Sequence, residues 1–258
     1  LVHAGNGCLQ CLPSVHSVCL TYNMDEKMTD NHYNCPVVAY YSELLNGNVE
    51  ELKRVKFLYP YLNINSKKEL TKELYNYLGK FYEGITKSEV RAAVEYGLER
   101  YAEYMNAVRE EGARALKFAR ENNRRIMILA GRPYHIDAEI GHGIDKLANT
   151  LGFVVVSEDS VFRLAEPFTV KVLNQWTYHA RLYRAARYAA EHKDTELVSF
   201  GCGVDAITTD EVREILESRG KFYTQIKIDE ITNLGAVKIR LRSLIGALNE
   251  RSDGSGRA

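Results

Sequence analysis

Ser199-Phe-Gly-Cys-Gly-Val-Asp-Ala-Ile-Thr-Thr-Asp-Glu211 is the stretch on which the reading of this chain turns. The short apolar run Leu197-Val198 leads into it, and an amphipathic helix is predicted to open just after it, at Thr209 or Asp210. A thiol between two glycines, Gly201-Cys202-Gly203, therefore stands where a strand gives way to a helix. In an open α/β sheet, ligands bind at that kind of turn, in the crevice beyond the carboxyl ends of the strands. A cysteine there is a ligand for a soft metal, a nucleophile or a small apolar filler.

The same strand-to-helix alternation extends to either side. Ile126-Met-Ile-Leu129 reads as a strand, followed by a helix from Asp137 to about Leu151. Phe153-Val-Val-Val156 is a second strand, with a helix from about Val172 to Glu191. Leu197-Val198 leads to the helix 209–218, and the strand Phe222–Ile228 to a helix from about Asn233 to Leu248. Four consecutive βα units predict a parallel sheet wrapped by helices, with right-handed crossovers. In that arrangement Gly131-Arg-Pro-Tyr-His135, Ser157-Glu-Asp159, Gly201-Cys-Gly203 and Asp229-Glu230 all follow strand ends and meet along one edge of the sheet.

Upstream lies the longest periodic element, 87–121. Its apolar residues Val90, Val94, Leu98, Tyr101, Met105, Val108, Ala115 and Ala119 recur with a period of about 3.6, and Thr86 with Glu89 forms a capping box. Its charges read as a solvated face, and the helix as a connector over 86–122. Ser66 and Glu69 repeat the capping signature before another helix, and Val55–Tyr59 suggests a strand before Pro60. Pro36 pushes Cys35 toward an extended conformation, leaves Val37, Val38 and Tyr40 to read as a short strand, and is followed by a helix from Ser42 to Leu45. The expected organisation is an atypical or disordered start (1–18), part of an N-terminal lobe (19–85), the connecting helix (86–122), an α/β lobe (123–250) and a disordered tail (251–258). The start at Leu1 without a signal-peptide pattern, and the polar end, suggest a fragment or a processed form of something longer.

Composition limits the function classes. Across 258 residues, 45% are hydrophobic and 26% charged, which suits an ordinary globular protein of one or two domains. Lysine plus arginine and aspartate plus glutamate number 34 each, so there is no electrostatic footprint for nucleic acid or an anionic membrane surface. No apolar run approaches the roughly 18 residues of a transmembrane helix. Five cysteines are too few for a disulfide scaffold and odd in number, which points to a reducing, cytoplasmic setting.

Among candidate site residues, Arg132 could grip a phosphate or carboxylate, and His135 could move a proton or ligate a metal; otherwise both are structural, with Arg132 paired to Glu158 or Asp159. The spacing is neither a Walker A nor a G-x-G-x-x-G motif, so ATP hydrolysis here is not expected. Trp176, His179 and Tyr183 share helical spacing and read as core, while the amide of Asn174 could reach the crevice. Cys8-Leu-Gln-Cys11 is a lone C-x-x-C pair, short of a closed zinc site. Cys19, Cys35 and Cys202 are widely spaced; three thiolates can hold three irons of a [4Fe–4S] cluster, or zinc, or stay as free buried thiols.

Cys19-Leu-Thr-Tyr-Asn23, Asp30-Asn-His-Tyr-Asn-Cys-Pro-Val-Val38, Ala130-Gly-Arg-Pro-Tyr-His-Ile136, Ser157-Glu-Asp159, Val172-Leu-Asn-Gln-Trp-Thr-Tyr-His179, Ser199–Asp210, Lys227-Ile-Asp-Glu230 and Asn233-Leu-Gly-Ala236 together resemble the DUF2229 family. That family is the region downstream of the ATPase domains in acyl-CoA dehydratase activase-related proteins, and is related to the iron–sulfur subunits of 2-hydroxyglutaryl-CoA dehydratase and benzoyl-CoA reductase. The resemblance runs from about Cys19 to about Leu248, whereas residues 1–18 lack the expected Tyr-Pro before Cys19 and a further upstream cysteine, as a truncated or frame-shifted gene would. It implies Rossmann-like α/β lobes facing a [4Fe–4S] cluster, with Cys19, Cys35 and Cys202 as ligands. Arg132, His135, Asp159, Asn174, Gly201 and Gly203 would line the cleft, the glycines letting backbone approach a bulky cluster. It further implies low-potential electron transfer with an actin-like, ATP-hydrolysing activase in the same or a separate chain, and a dehydratase-like or reductase role toward an acyl-CoA or other small molecule. A non-catalytic interaction domain without a cluster is the alternative.

Overall fold

The computed structural model describes residues 14–201, 206–228 and 234–254. They form an α/β protein built on parallel strands, in two compact units: Leu1–Glu103 with Asn174–Thr177, and Tyr104–Leu173 with Tyr178–Ala258. Cys8 and Cys11 lie outside the described residues.

In the first unit, β1 (Ser14–His16) pairs with β3 (Lys56–Leu58), and β2 (Cys19–Tyr22) with β4 (Tyr61–Asn63), both parallel. The amides of Ser17 and Cys19 donate to Leu58 and Pro60, each at 2.9 Å, which joins the pairs into one interrupted ladder. The strand expected before Pro60 therefore resumes after it.

Helix α1 (Pro36–Asn48) makes the crossover, and this corrects the strand expected at Val37–Tyr40. Cys35 is extended as expected (φ −62°, ψ 157°), but Pro36 then occupies the first helical position. There its fixed φ suits the helix and its missing N–H costs nothing. Packing of α1 on β2 outweighs the β-branched valines and carries the helix through Gly47. Helices α2 (Lys67–Leu78) and α3 (Lys87–Glu121) start where their caps place them. Glu69 N–H donates to Ser66 Oγ at 3.3 Å; Thr86 N–H donates to Glu89 Oε2 at 2.8 Å, and Glu89 N–H returns to Thr86 Oγ1 at 3.2 Å. Leu62, Leu70, Val90 and Val94 form the core between β4, α2 and α3.

The second unit holds a four-stranded parallel sheet in the order β6 (Val154–Ser157), β5 (Ile126–Ala130), β7 (Thr195–Gly201), β8 (Thr224–Lys227). All five residues of β5 are buried, the signature of a central strand covered on both faces. Ile126, Ile128 and Ala130 pack with Leu116 and Ala119 of α3, with α6 (Thr177–Glu191) and with α7 (Ala206–Glu217). Met127 and Leu129 face α4 (Ile144–Thr150) and α8 (Gly235–Gly254). The order reverses at β5, with β6 on one side and β7 on the other, so the topological switch point lies between β5 and β7.

Three helix starts differ from expectation. Residues 137–143 form turns rather than helix, because His142 (φ 49°) and Gly143 (φ 74°) are left-handed and interrupt the α-helical hydrogen bonds. The helix expected from Val172 starts at Thr177, since Trp176 bridges to Tyr33 and the Thr177 amide donates to Tyr33 O. The helix expected at Thr209 begins at Ala206. α8 also continues to Gly254, through the first residues of the expected tail. Among the described residues, no helix is long and apolar enough to cross a membrane.

Candidate functional site

At the carboxyl end of β5 the chain enters a 3-10 turn, Pro133–Ile136, and His135 folds back over Gly131. The backbone N–H of Arg132 donates to His135 Nδ1 at 2.9 Å, and the His135 amide returns to Arg132 O at 2.9 Å. A Cβ on Gly131 would stand 2.3 Å from that Nδ1, so the glycine is needed for close approach.

The Arg132 side chain is fully buried, and its Nη2 lies 2.9 Å from His179 Nε2 on α6. A guanidinium only donates, so His179 accepts at Nε2 and its neutral ring carries the proton on Nδ1. The helical spacing of His179 reads as core; the structure makes it the buried acceptor of an arginine.

Ser157 ends β6, and α5 (Glu158–Val161) follows at once. Glu158 is buried, and burial, reinforced by the neighbouring Asp159 charge, pushes its carboxyl up to about 8. Arg181 and hydrogen bonds from the amides of Glu158 and Gly131 act in the opposite direction. Asp159, also buried, accepts from Ser157 Oγ, and Arg181 sits over the rings of Phe162 and Tyr178 at 5.0 and 5.1 Å. Arg132, His135, Glu158, Asp159, His179 and Arg181 are thus all buried near the carboxyl ends of β5 and β6 and the start of α6. Burying so many ionisable groups is costly, and such clusters concentrate at functional sites. Glu158 and Arg181 were legible only as residue types: an acid after a strand, and an arginine on a helix face. Their burial is a tertiary property.

A cavity of about 620 Å³ opens beside this cluster. It reaches His135, Ser157 and Phe200 at the strand ends, with the Phe200 and His135 rings 5.5 Å apart.

The expected thiol ligands fall differently. Cys19 begins β2 and is fully buried; Cys35, 2% exposed, stands at the N-cap of α1; both are free thiols. Segment 32–34 runs back along β2, with Tyr22 bridged antiparallel to Tyr33 and the Asn34 amide donating to Thr21 O at 3.0 Å. Asn34 locks it: its Oδ1 accepts from Asn23 Nδ2 at 2.6 Å and its Nδ2 donates to Leu20 O at 2.8 Å. Asn174 belongs to this first unit, its Nδ2 donating to Met28 O at 2.8 Å.

Gly201 closes β7, paired with Lys227, so Cys202 follows directly on a strand end; Cys202, Gly203, Asp229 and Glu230 themselves lie outside the described residues. Cys19 on β2 and Cys35 before α1 are buried and form no disulfide, so both thiols have the soft-donor chemistry an iron–sulfur cluster would need. Among the described residues, no group of three or more His, Cys, Asp and Glu side chains is placed to hold a metal ion.

Residues 15–161, more than half of the chain, match the family described as the CoA enzyme activase uncharacterised domain, DUF2229. The matched segment contains Cys19, Cys35, Arg132, His135 and Asp159 and ends before Asn174 and Cys202. No curated protein and no solved structure matches the chain.

Proposed function

The chain belongs to the family of the CoA enzyme activase uncharacterised domain, and from that membership we propose that it is an iron–sulfur redox module working with an ATP-hydrolysing activase. The observation that carries the reading is the pair Cys19 and Cys35, buried, free of any disulfide and fixed on adjoining segments by the Asn23–Asn34 clamp. Cys202, next in sequence after Gly201 and outside the described residues, is the third ligand of this reading. A [4Fe–4S] cluster on three thiolates supplies low-potential one-electron transfer and leaves one iron for a small ligand.

The chain's own residues do the rest. Burial of Cys19 and Cys35 keeps water from the sulfurs, and softness of the thiolates selects iron over hard cations. The activase partner, an actin-like ATPase in the same or a separate chain, delivers the electron, and an acyl-CoA or similar small molecule is its final acceptor. A reducing cytoplasm suits free thiols.

Anaerobic purification and reconstitution, followed by iron, sulfide and zinc analysis, tests this. About four irons per chain are expected, with loss of iron in Cys19→Ser, Cys35→Ser and Cys202→Ser. Colourless, iron-free protein sinks the reading, and zinc in place of iron turns it into a structural zinc site. A triple variant that keeps activase binding and every redox phenotype leaves only an interaction domain.

A further inference from the structure

The two edges of the four-stranded sheet are finished differently. At β8, Gln225 O on the outer side of the strand accepts from the Arg240 guanidinium at 3.1 Å, and Lys227 adds an exposed charge. Edge strands guarded in this way resist pairing with another chain. At β6, Val154-Val-Val-Ser157 has no charge, no proline and no break in its register against β5. Left-handed His142 and Gly143 also cut the helix after β5 down to Ile144–Thr150. The cavity of about 620 Å³ lies open along Val154–Ser157.

The register fixes which backbone groups β6 leaves over. Val154 N–H donates to Arg125 O at 2.9 Å, so Val154 and Val156 bond to β5 in the parallel ladder. Val155 and Ser157 therefore turn their N–H and C=O groups away from β5, Ser157 being still extended (φ −90°, ψ 161°). One residue before the strand, Phe153 is already used: its N–H donates to Ala148 O at 3.2 Å, and its oxygen accepts from Arg124 Nη2 at 3.1 Å. Ser157 O accepts from Ser160 Oγ at 2.7 Å and keeps a second lone pair. Among the described residues, Val155 N–H, Val155 O and Ser157 N–H have no hydrogen-bond partner.

These groups are self-complementary. We propose that two copies of this chain pair antiparallel through β6 about a two-fold axis at Val156, joining their sheets into one. Around that axis Val155 stands opposite Ser157 of the second copy, and each such pair exchanges N–H to C=O bonds in both directions. Both outward residues of each strand are then satisfied, and Val156 meets its own counterpart in a β-branched cross-strand contact. An axis at Val155 would instead set Ser157 against Phe153, whose N–H and oxygen are already bonded. A foreign peptide would have to bring the matching pattern; a second copy carries it by symmetry. Ile136, which lines the same cavity and is 49% exposed, offers apolar surface beside the strand. The pairing does not depend on a cluster, and its test is separate from iron content.

Sedimentation equilibrium of the full chain under reductant, from micromolar to hundreds of micromolar, should show a reversible monomer–dimer equilibrium. Amide hydrogen exchange, followed by mass spectrometry, should slow at Val155 and Ser157 as the dimer forms. Val155→Pro removes an outward N–H and leaves the Val154 and Val156 bonds to β5 in place, since proline is accepted on sheet edges. It takes two bonds from each dimer, so the dissociation constant should rise at least about tenfold, with folding judged by circular dichroism. The exchange measurement needs no variant and stands even if Val155→Pro does not fold. A monomer at every concentration, a dimer whose Val155 and Ser157 amides exchange as fast as the monomer's, or a folded Val155→Pro chain that dimerises as tightly as the parent each overturns the proposal. Protection of these amides in a chain that stays monomeric assigns the edge to a different occupant and overturns it too.

Discussion

Glu158 shows how one residue acquires its character from its surroundings. On an exposed turn it would be an ordinary carboxylate near 4.5; burial and the adjacent Asp159 raise it to about 8 despite Arg181. The folded state therefore holds a proton that the unfolded chain releases. Its contribution to stability is full below about 4.5 and is lost as pH rises toward about 8, because there the unfolded state binds fewer protons. Glu158→Gln imitates the protonated acid. Its urea-unfolding free energy should lie within about 1 kcal/mol of the parent near pH 5. Between pH 5 and 8 it should lack the parent's decline, and an unchanged pH slope would show that Glu158 is not the group responsible. Asp159 was legible as a strand-end acid; that its neighbour is the proton-holding member was not, since both read as acids in one loop and only burial separates them.

At the scale of elements, α2 and α3 were readable because capping is local: Ser66 with Glu69, and Thr86 with Glu89, act within one turn. The segments that misled were those decided from outside. Pro36 is compatible with a strand end and with a helix start, and only α1 packing on β2 chose between them. Residues 172–176 have helical spacing, yet Trp176 is taken up by a bridge to Tyr33. α3 offers a test of this balance at Gly112, where a Cβ would stand 2.5 Å from Ser160 Cβ and 3.2 Å from its backbone oxygen. Gly112→Ala gains up to about 1 kcal/mol of helix propensity but forces α5 away, at about 1–3 kcal/mol. Net destabilisation by urea or thermal unfolding is expected; a more stable protein would mean that α5 yields freely.

Across the second unit, the two ends of the sheet divide the labour. At the amino end, Lys221, whose side chain is 8% exposed, donates to Lys193 O, Thr195 O and Glu196 Oε1 at 3.3, 2.7 and 3.1 Å, which fixes β7 to the β8 approach. Burial raises the Glu196 carboxyl while Lys221 pulls it down. Lys221→Met should cost about 3–5 kcal/mol by leaving that carboxyl uncompensated. A urea-unfolding free energy within about 1 kcal/mol of the parent would show that Lys221 does not compensate this carboxyl. The alternation of apolar runs and amphipathic helices from Ile126 onward determined the parallel sheet by itself, because a strand buried on both faces must be apolar throughout and its crossovers must be amphipathic. It also determined that Gly131–His135, Ser157–Asp159 and Gly201 stand at strand ends. Only the tertiary structure decided that His135 turns back onto Gly131, that Arg132 reaches His179 rather than standing open to an anion, and that Glu158 and Arg181 are buried with them. Those outcomes depend on contacts between residues distant in the chain, whose burial and hydrogen-bond partners are set by packing and leave no periodic trace in the sequence.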